Sequence, residues 1–170
     1  MTQLGMDLYD RGRYDDAVAL FEQALALSPA QERAWRGKAL CLSQLGRTEE
    51  ALVSARRAVD IAPDSGLAYS TLGLCLHRVG RRDEAESSFY AALDLTPDDY
   101  RVYYNFACYW AEVGNEAECR RYLGMTFDVA PESFAHVPPG DPDLARFSDR
   151  EWFRELVAAL KGRASKYDRP

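Results

Sequence analysis

A period of 34 residues runs through the chain without insertion or deletion. Proline returns as Pro29, Pro63, Pro97 and Pro131, and glycine as Gly12, Gly46, Gly80 and Gly114. A small residue returns as Ala17, Ala51, Ala85 and Cys119, and a second as Ala24, Ala58, Ala92 and Thr126. Such a repeat constrains the fold more tightly than composition does. Each unit must be one supersecondary element that cannot bury its apolar face alone, and stacked units share a continuous core.

The third unit shows what the element is. Leu67, Tyr69, Leu72, Leu74, Leu76 and Val79 fall broadly at helical spacing. Gly80 ends that helix, because a residue without Cβ enters the left-handed region freely. Ala85, Phe89, Ala92, Leu93 and Leu95 mark a second helix, and Pro97 blocks its continuation. The same spacing predicts helices near 2–11, 13–28, 31–45, 48–61, 65–79 and 82–95, and a fourth pair within 99–129. Gly5, Ala39, Gly73 and Ala107 are expected to face Ala17, Ala51, Ala85 and Cys119 across each pair. Phe21, Phe89 and Leu123 are expected to fill the space between neighbouring units. Tyr103, Tyr104, Phe106, Tyr109 and Trp110 crowd the first helix of the fourth unit and read mainly as core. Tyr104 and Tyr109 are expected to be exceptions, because their helical positions do not both point inward.

The run Leu72-Gly73, Gly80, Ala85, Phe89, Ala92 and Pro97, repeated in register, resembles the tetratricopeptide repeat (TPR) over residues 1 to about 131. The resemblance implies an all-α fold, a right-handed α-solenoid or superhelix of antiparallel helix pairs, with units at 1–30, 31–64, 65–98 and 99–131. The second unit departs from the family pattern. Lys38, preceded by Gly37, stands where leucine is usual, and Ala55 replaces the usual aromatic, so this unit is expected to pack less tightly than the third.

Beyond Pro131 the register stops. Pro138, Pro139, Gly140 and Pro142 exclude a further helix there, which gives a proline-rich connection over 132–147. Ser148 and Glu151 have capping-box spacing, and Trp152, Phe153, Leu156, Val157 and Leu160 give an apolar helix face. A capping helix is therefore expected over 148–162, ended by Gly162, with a polar tail at 163–170. Asp141, Pro142, Asp143, Leu144, Phe147 and Phe153 resemble the closing element of many bacterial TPR proteins. Its job would be to cover the apolar face of the last unit.

A net charge of −6 and a pI near 5.0 oppose general nucleic-acid binding, which wants a basic surface. No apolar run approaches the ~18 residues that span a membrane. No basic-then-apolar leader precedes the first helix, so a cytoplasmic location is expected. Cys41 and Cys75 are equivalent residues of adjacent units, about 8–10 Å apart, beyond the ~7 Å limit for a disulfide. With Cys108 and Cys119 they read as small apolar filler in a reducing compartment. There is no CxxC pair, and only His77 and His136 could assist in ligation, so neither metal nor cofactor is expected.

No convergent acid, base and nucleophile is visible, nor a phosphate loop, and the chain reads as non-catalytic. In the family the first helix of each pair lines a concave groove that receives a partner segment. The resemblance places Met6, Tyr9, Arg33, Arg36, Leu40, Ser70, Thr71, Leu74, His77, Arg78, Arg101, Tyr104, Asn105 and Cys108 there. Met6, Leu40 and Leu74 form an apolar strip, and arginine forks suit carboxylates. The expected partner is a peptide or helix of a protein, with apolar and acidic side chains. Two alternatives stand beside it. The open ends could stack on another copy to give a homo-oligomer. A co-chaperone-like carboxylate clamp would use either Thr2, Met6, Gly37, Leu67 and Thr71 or Arg36, Leu40, Thr71, Arg101 and Asn105; the first set lacks a cation and the second is incomplete.

Overall fold

The computed structural model describes residues 1–130, 134, 141 and 143–167, with side chains to residue 159. The expectations for Pro131, His136, Pro138, Pro139, Gly140, Pro142, the side chain of Leu160 and the last three residues lie outside that set. Helices α1 (Thr2–Asp10), α2 (Tyr14–Leu27), α3 (Glu32–Gln44), α4 (Thr48–Ile61), α5 (Gly66–Arg78), α6 (Arg82–Leu95), α7 (Tyr100–Val113) and α8 (Glu116–Val129) follow the repeat. A 3₁₀ turn, Ala145–Phe147, precedes α9 (Glu151–Tyr167). Among the described residues there is no strand, and the fold is an all-α helical repeat.

The period sets the helix ends. Gly12, Gly46, Gly80 and Gly114 all have φ between 71° and 83°, the left-handed region that the turn demands and that other residues enter at a cost. The second helices of the first three hairpins share a device at their N-termini. Arg13, Arg47 and Arg81 are the N-caps, and each forks the acid three residues on: Asp16 at 2.6 Å, Glu50 at 2.7 Å and Glu84 at 2.5 Å. The arginine holds each carboxylate at the positive end of the helix dipole. In the fourth hairpin Asn115 replaces it and caps α8 directly, its side chain accepting from the Glu118 amide.

The chain divides into two compact units, Met1–Pro97 and Asp98–Pro170. In the first, three hairpins follow one another and the first helices α1, α3 and α5 pack side by side. Phe21 is fully buried. A Cβ on Gly5 would meet its ring at 2.7 Å, and a Cβ on Gly37 would overlap it from the next hairpin. One ring thus fills both the crossing inside its own hairpin and the seam to the neighbour. Gly73 sits likewise against the Phe89 ring at 2.8 Å and the Ala85 carbonyl at 3.1 Å. The atoms nearest to Gly5 belong to the ring one turn beyond Ala17, while at Gly73 the expected partner Ala85 lies beside the equivalent ring. Lys38 lays its Nζ 2.8 Å from Glu22 and over the Trp35 ring, and Ala55 is fully buried.

In the second unit α7 and α8 pair through Phe106, whose ring lies 4.4 Å from that of Tyr122. Tyr109 is fully buried and so belongs to the core, against the expectation that it stands apart from it. Helix α9 packs on α8, burying Trp152, Phe153 and Val157, with Leu144 and Phe147 buried from the turn before it. Trp152 Nε1 donates to Glu116 Oε1 at 2.6 Å, and Arg146 donates to the Ala111 carbonyl at 2.8 Å. The expected capping box does not form. Ser148 has helical φ and ψ of −52° and −34° inside the preceding turn, unlike the extended backbone of an N-cap, and α9 begins only at Glu151. Nor does Gly162 end the helix, which continues to Tyr167. Trp152→Ala is expected to cost this unit about 3–5 kcal/mol by cavity formation together with the Glu116 hydrogen bond. Urea denaturation followed by tyrosine fluorescence measures it, and a parent-like midpoint would show that α9 does not cap.

Candidate peptide-binding face

The first helices of the Met1–Pro97 unit carry ten of the residues assigned to the groove by register. Met6, Tyr9, Leu40, Leu74 and His77 are half-buried, as residues on a wet helix face should be. Ser70 and Thr71 are not on that face: both are fully buried. Thr71 falls at the seam between α5 and the preceding hairpin, as its equivalent Gly37 falls against Phe21 one period earlier. Ser70 donates to the Leu67 carbonyl at 3.1 Å. Both versions of the carboxylate clamp pass through Thr71, so its burial removes a contact from each.

The arginines are engaged within the chain. Arg36 pairs with Glu32 at 3.0 Å, one helical turn back. Arg33 donates to Gln3 Oε1 at 2.6 Å, joining α3 to α1 through a neutral acceptor. Arg78 is exposed near the end of α5. The face therefore keeps a cationic side at Arg33, while Arg36 is already neutralised.

In the Asp98–Pro170 unit Arg101 is exposed and forks Asp99 at 2.6 Å, and Asn105 is half-buried. Tyr104 and Cys108 are covered by their own chain. Tyr104 Oη donates to Asp141 Oδ2 at 2.5 Å, and the Phe134 ring stands edge-on to Tyr104 at 4.9 Å and near Tyr100 at 5.0 Å. Asp141 Oδ1 also accepts the Asp143 amide at 2.8 Å, which makes an aspartate turn. Burial, then the neighbouring Cys108 and Asp141, raises the Tyr104 phenol well above its usual range. Burial, followed by Asp141 and Asp143, does the same to the Cys108 thiol. Cys108, Asp141 and Asp143 bring one donor atom each within 4.8 Å of one another, the set among the described residues with metal-ligating chemistry. Both Asp141 oxygens are already used, and the cluster ties the closing segment to α7.

The geometry is that of stacked helix hairpins, and family models described as tetratricopeptide repeat match residues 2–66 and 67–99. The chain belongs to the tetratricopeptide repeat family. No curated protein matches its sequence. Solved structures show the same fold. TTC0263, a thermophilic TPR protein of Thermus thermophilus, is 21% identical, with 96% of this chain and 88% of that one covered at a TM-score of 0.72. PcrH in complex with the chaperone binding region of PopB is 26% identical, with coverages of 73% and 90% and a TM-score of 0.55. YrrB, described as a TPR protein with an unusual peptide-binding site, is 17% identical, with coverages of 96% and 89% and a TM-score of 0.52. None of this TPR protein's described helices is long and apolar enough to cross a membrane.

All four cysteines are buried. Burial pushes the thiols of Cys41, Cys75 and Cys119 up to about 12. The native thiols keep protons that the unfolded chain releases near its ordinary value of about 8.5. The unfolded state then binds fewer protons, so stability falls as pH rises from about 9 toward 12. Iodoacetamide at pH 8 is expected to label none of the four until denaturant is added, as read by intact mass.

Proposed function

We propose that the face built by α1, α3 and α5 binds, without catalysis, an extended or helical segment of a protein partner. The observation that carries this reading is the half-buried strip of Met6, Leu40 and Leu74 along three helices packed side by side, flanked by Tyr9, His77 and Arg33. Apolar surface of this kind is released from water on docking. PcrH, which aligns at 26% identity, has been solved with the chaperone binding regions of PopB and of PopD, which supports peptide capture by this class of repeat. Arg33 adds a preference for an acidic side chain, since a partner carboxylate in place of the neutral Gln3 amide gains a charge-assisted bond. Arg36 contributes little to that preference because Glu32 already answers it.

The test is affinity capture and mass spectrometry with the parent, Leu40→Glu and Arg33→Glu. Leu40→Glu is expected to lower partner recovery by roughly tenfold or more, the scale of a lost apolar anchor. Arg33→Glu should weaken recovery and flatten its salt dependence. Undiminished recovery by both variants, with parent-like melting, would overturn the reading. A second reading, self-association, has support at one end, where Met1, which precedes α1, and Leu4 within it are 57% and 54% exposed. Light scattering that showed no growth of size with concentration would remove it.

A further inference from the structure

We infer that the Met1–Pro97 unit carries a second docking site, on the side of its second helices, for an amphipathic helix of a partner protein. That helix would set one large aliphatic side chain on Leu72 and Leu76 and turn a carboxylate toward Arg56. The packing that brings first helices together leaves the second helices farther apart. Between α4 and α6 this leaves a cleft of about 350 Å³. Leu72 and Leu76 from α5 line its apolar part, Arg56 comes from α4, and Asp83, Glu84 and Ser87 come from α6. The volume is at the lower end of ligand sites, roughly 300–1,000 Å³, and suits one or two side chains rather than a whole cofactor.

The preceding seam shows that the opening is a choice of sequence and not a necessity of the repeat. One period earlier, Lys38 stands in place of Leu72 and Glu22 in place of Arg56, and their 2.8 Å ion pair spans the equivalent space. In the α4–α6 seam that bridge is replaced by an apolar residue and a cation. Among the described residues Arg56 and Asp83 form no ion pair, whereas Glu84 is already forked by Arg81.

Charge and hydrogen bonding select the occupant. Ser87 and Ser88 donate to the carbonyls of Asp83 and Glu84, each at 2.8 Å, so their hydroxyl protons are spent. Helix backbones on every side have their own groups satisfied and offer no ladder to an extended peptide. A helix satisfies its own backbone and needs none. Its apolar anchor would meet Leu72, with an acidic residue on the Arg56 side and a basic residue on the Asp83 side.

The experiment uses the full chain and a synthetic alanine-based helical peptide of about 15 residues, long enough to hold a helix. It carries one leucine, with glutamate on one flank and lysine on the other; control peptides carry alanine for the leucine, or lysine for the glutamate. Amide shift mapping by NMR should move Leu72, Leu76 and Ser87. The affinity should fall by roughly tenfold for the leucine-less peptide. The variant Arg56→Glu/Leu72→Lys rebuilds the Glu22–Lys38 pair of the preceding seam, so the repeat already accommodates this combination. It should melt like the parent and lose the shifts. Arg56→Glu alone, an exposed change, should weaken the glutamate peptide and favour its lysine counterpart, which keeps the test intact if the double variant misfolds. The inference fails if no shifts appear at millimolar peptide, or if the plugged variant binds equally. It also fails if the shifts fall on Leu40 and Leu74, or if the cleft signals move with protein concentration alone, which would make a second copy the occupant.

Discussion

Ala85→Glu is expected to leave the Met1–Pro97 unit without a cooperative thermal transition. Ala85 is fully buried on the face of α6 that crosses α5. Its carbonyl already lies 3.1 Å from where a Cβ on Gly73 would sit, and the Phe89 ring closes the same crossing. Three added heavy atoms beyond one methylene cannot enter without parting the hairpin, at a cost of about 1–3 kcal/mol. The carboxylate then sits unpaired in an apolar seam, which costs several kcal/mol more or forces protonation. The sum reaches about 5 kcal/mol or more, against a total stability of roughly 5–15 kcal/mol for a domain. Ala85→Gln separates the two effects, since it brings similar volume without charge and should retain a broadened, lowered transition. Arg82→Ala, exposed and three residues earlier, should melt within ~0.5 kcal/mol of the parent. Circular dichroism melts of the four proteins decide the matter. A parent-like melt for Ala85→Glu would mean that α5 and α6 are not pressed together at this alanine.

What a sequence shows of such a chain depends on how far apart the residues that make each feature lie. Helix ends are local, so Gly46, Gly80 and Gly114, with Pro29, Pro63 and Pro97, mark them directly. The arginine forks at Arg47 and Arg81 are local as well, and are legible as basic–acidic pairs three residues apart at a fixed register. The half-buried state of Leu40 and Leu74 also follows from register, because their helix positions lie clear of both neighbours. Ser70 and Thr71 do not follow from it. A helical wheel assigns them to an open face, and the packing of α5 on the preceding hairpin decides otherwise. Tyr104 and Cys108 are harder still, since their cover includes Asp141, which follows Tyr104 by 37 residues. The α4–α6 cleft is silent in its own repeat, where Leu72 is the residue the family leads one to expect. Its signal lies in the contrast with Lys38 one period earlier, where a charged side chain and Glu22 occupy the equivalent space.

The same comparison of registers yields the second large effect. Gly5, Phe21 and Gly37 stand at positions that recur as Ala39, Ala55 and Thr71. In the first set one large ring is accommodated by two glycines; in the second an alanine takes the ring's place and both glycines grow. All six are buried. Volume is conserved across the seam while its distribution changes, the kind of exchange that close-packed interiors tolerate. Phe21→Ala alone is expected to cost about 3–5 kcal/mol, because its cavity opens toward both Gly5 and Gly37. Gly37→Thr alone should also destabilise strongly, since a Cβ there overlaps the Phe21 ring, which cannot withdraw while Gly5 backs it. The triple variant Gly5→Ala/Phe21→Ala/Gly37→Thr copies the later seam. It should recover well over half of the summed loss, a coupling of roughly 2 kcal/mol or more, at the upper end for residues in contact. One cost will persist: among the described residues the Thr71 hydroxyl has no hydrogen-bond partner, and a threonine at 37 imports that defect. Urea midpoints for the parent, Phe21→Ala, Gly37→Thr and the triple variant measure the coupling. Additive losses would show that the ring and the glycines do not share one space, and the reading of the repeat as interchangeable seams would fall with it.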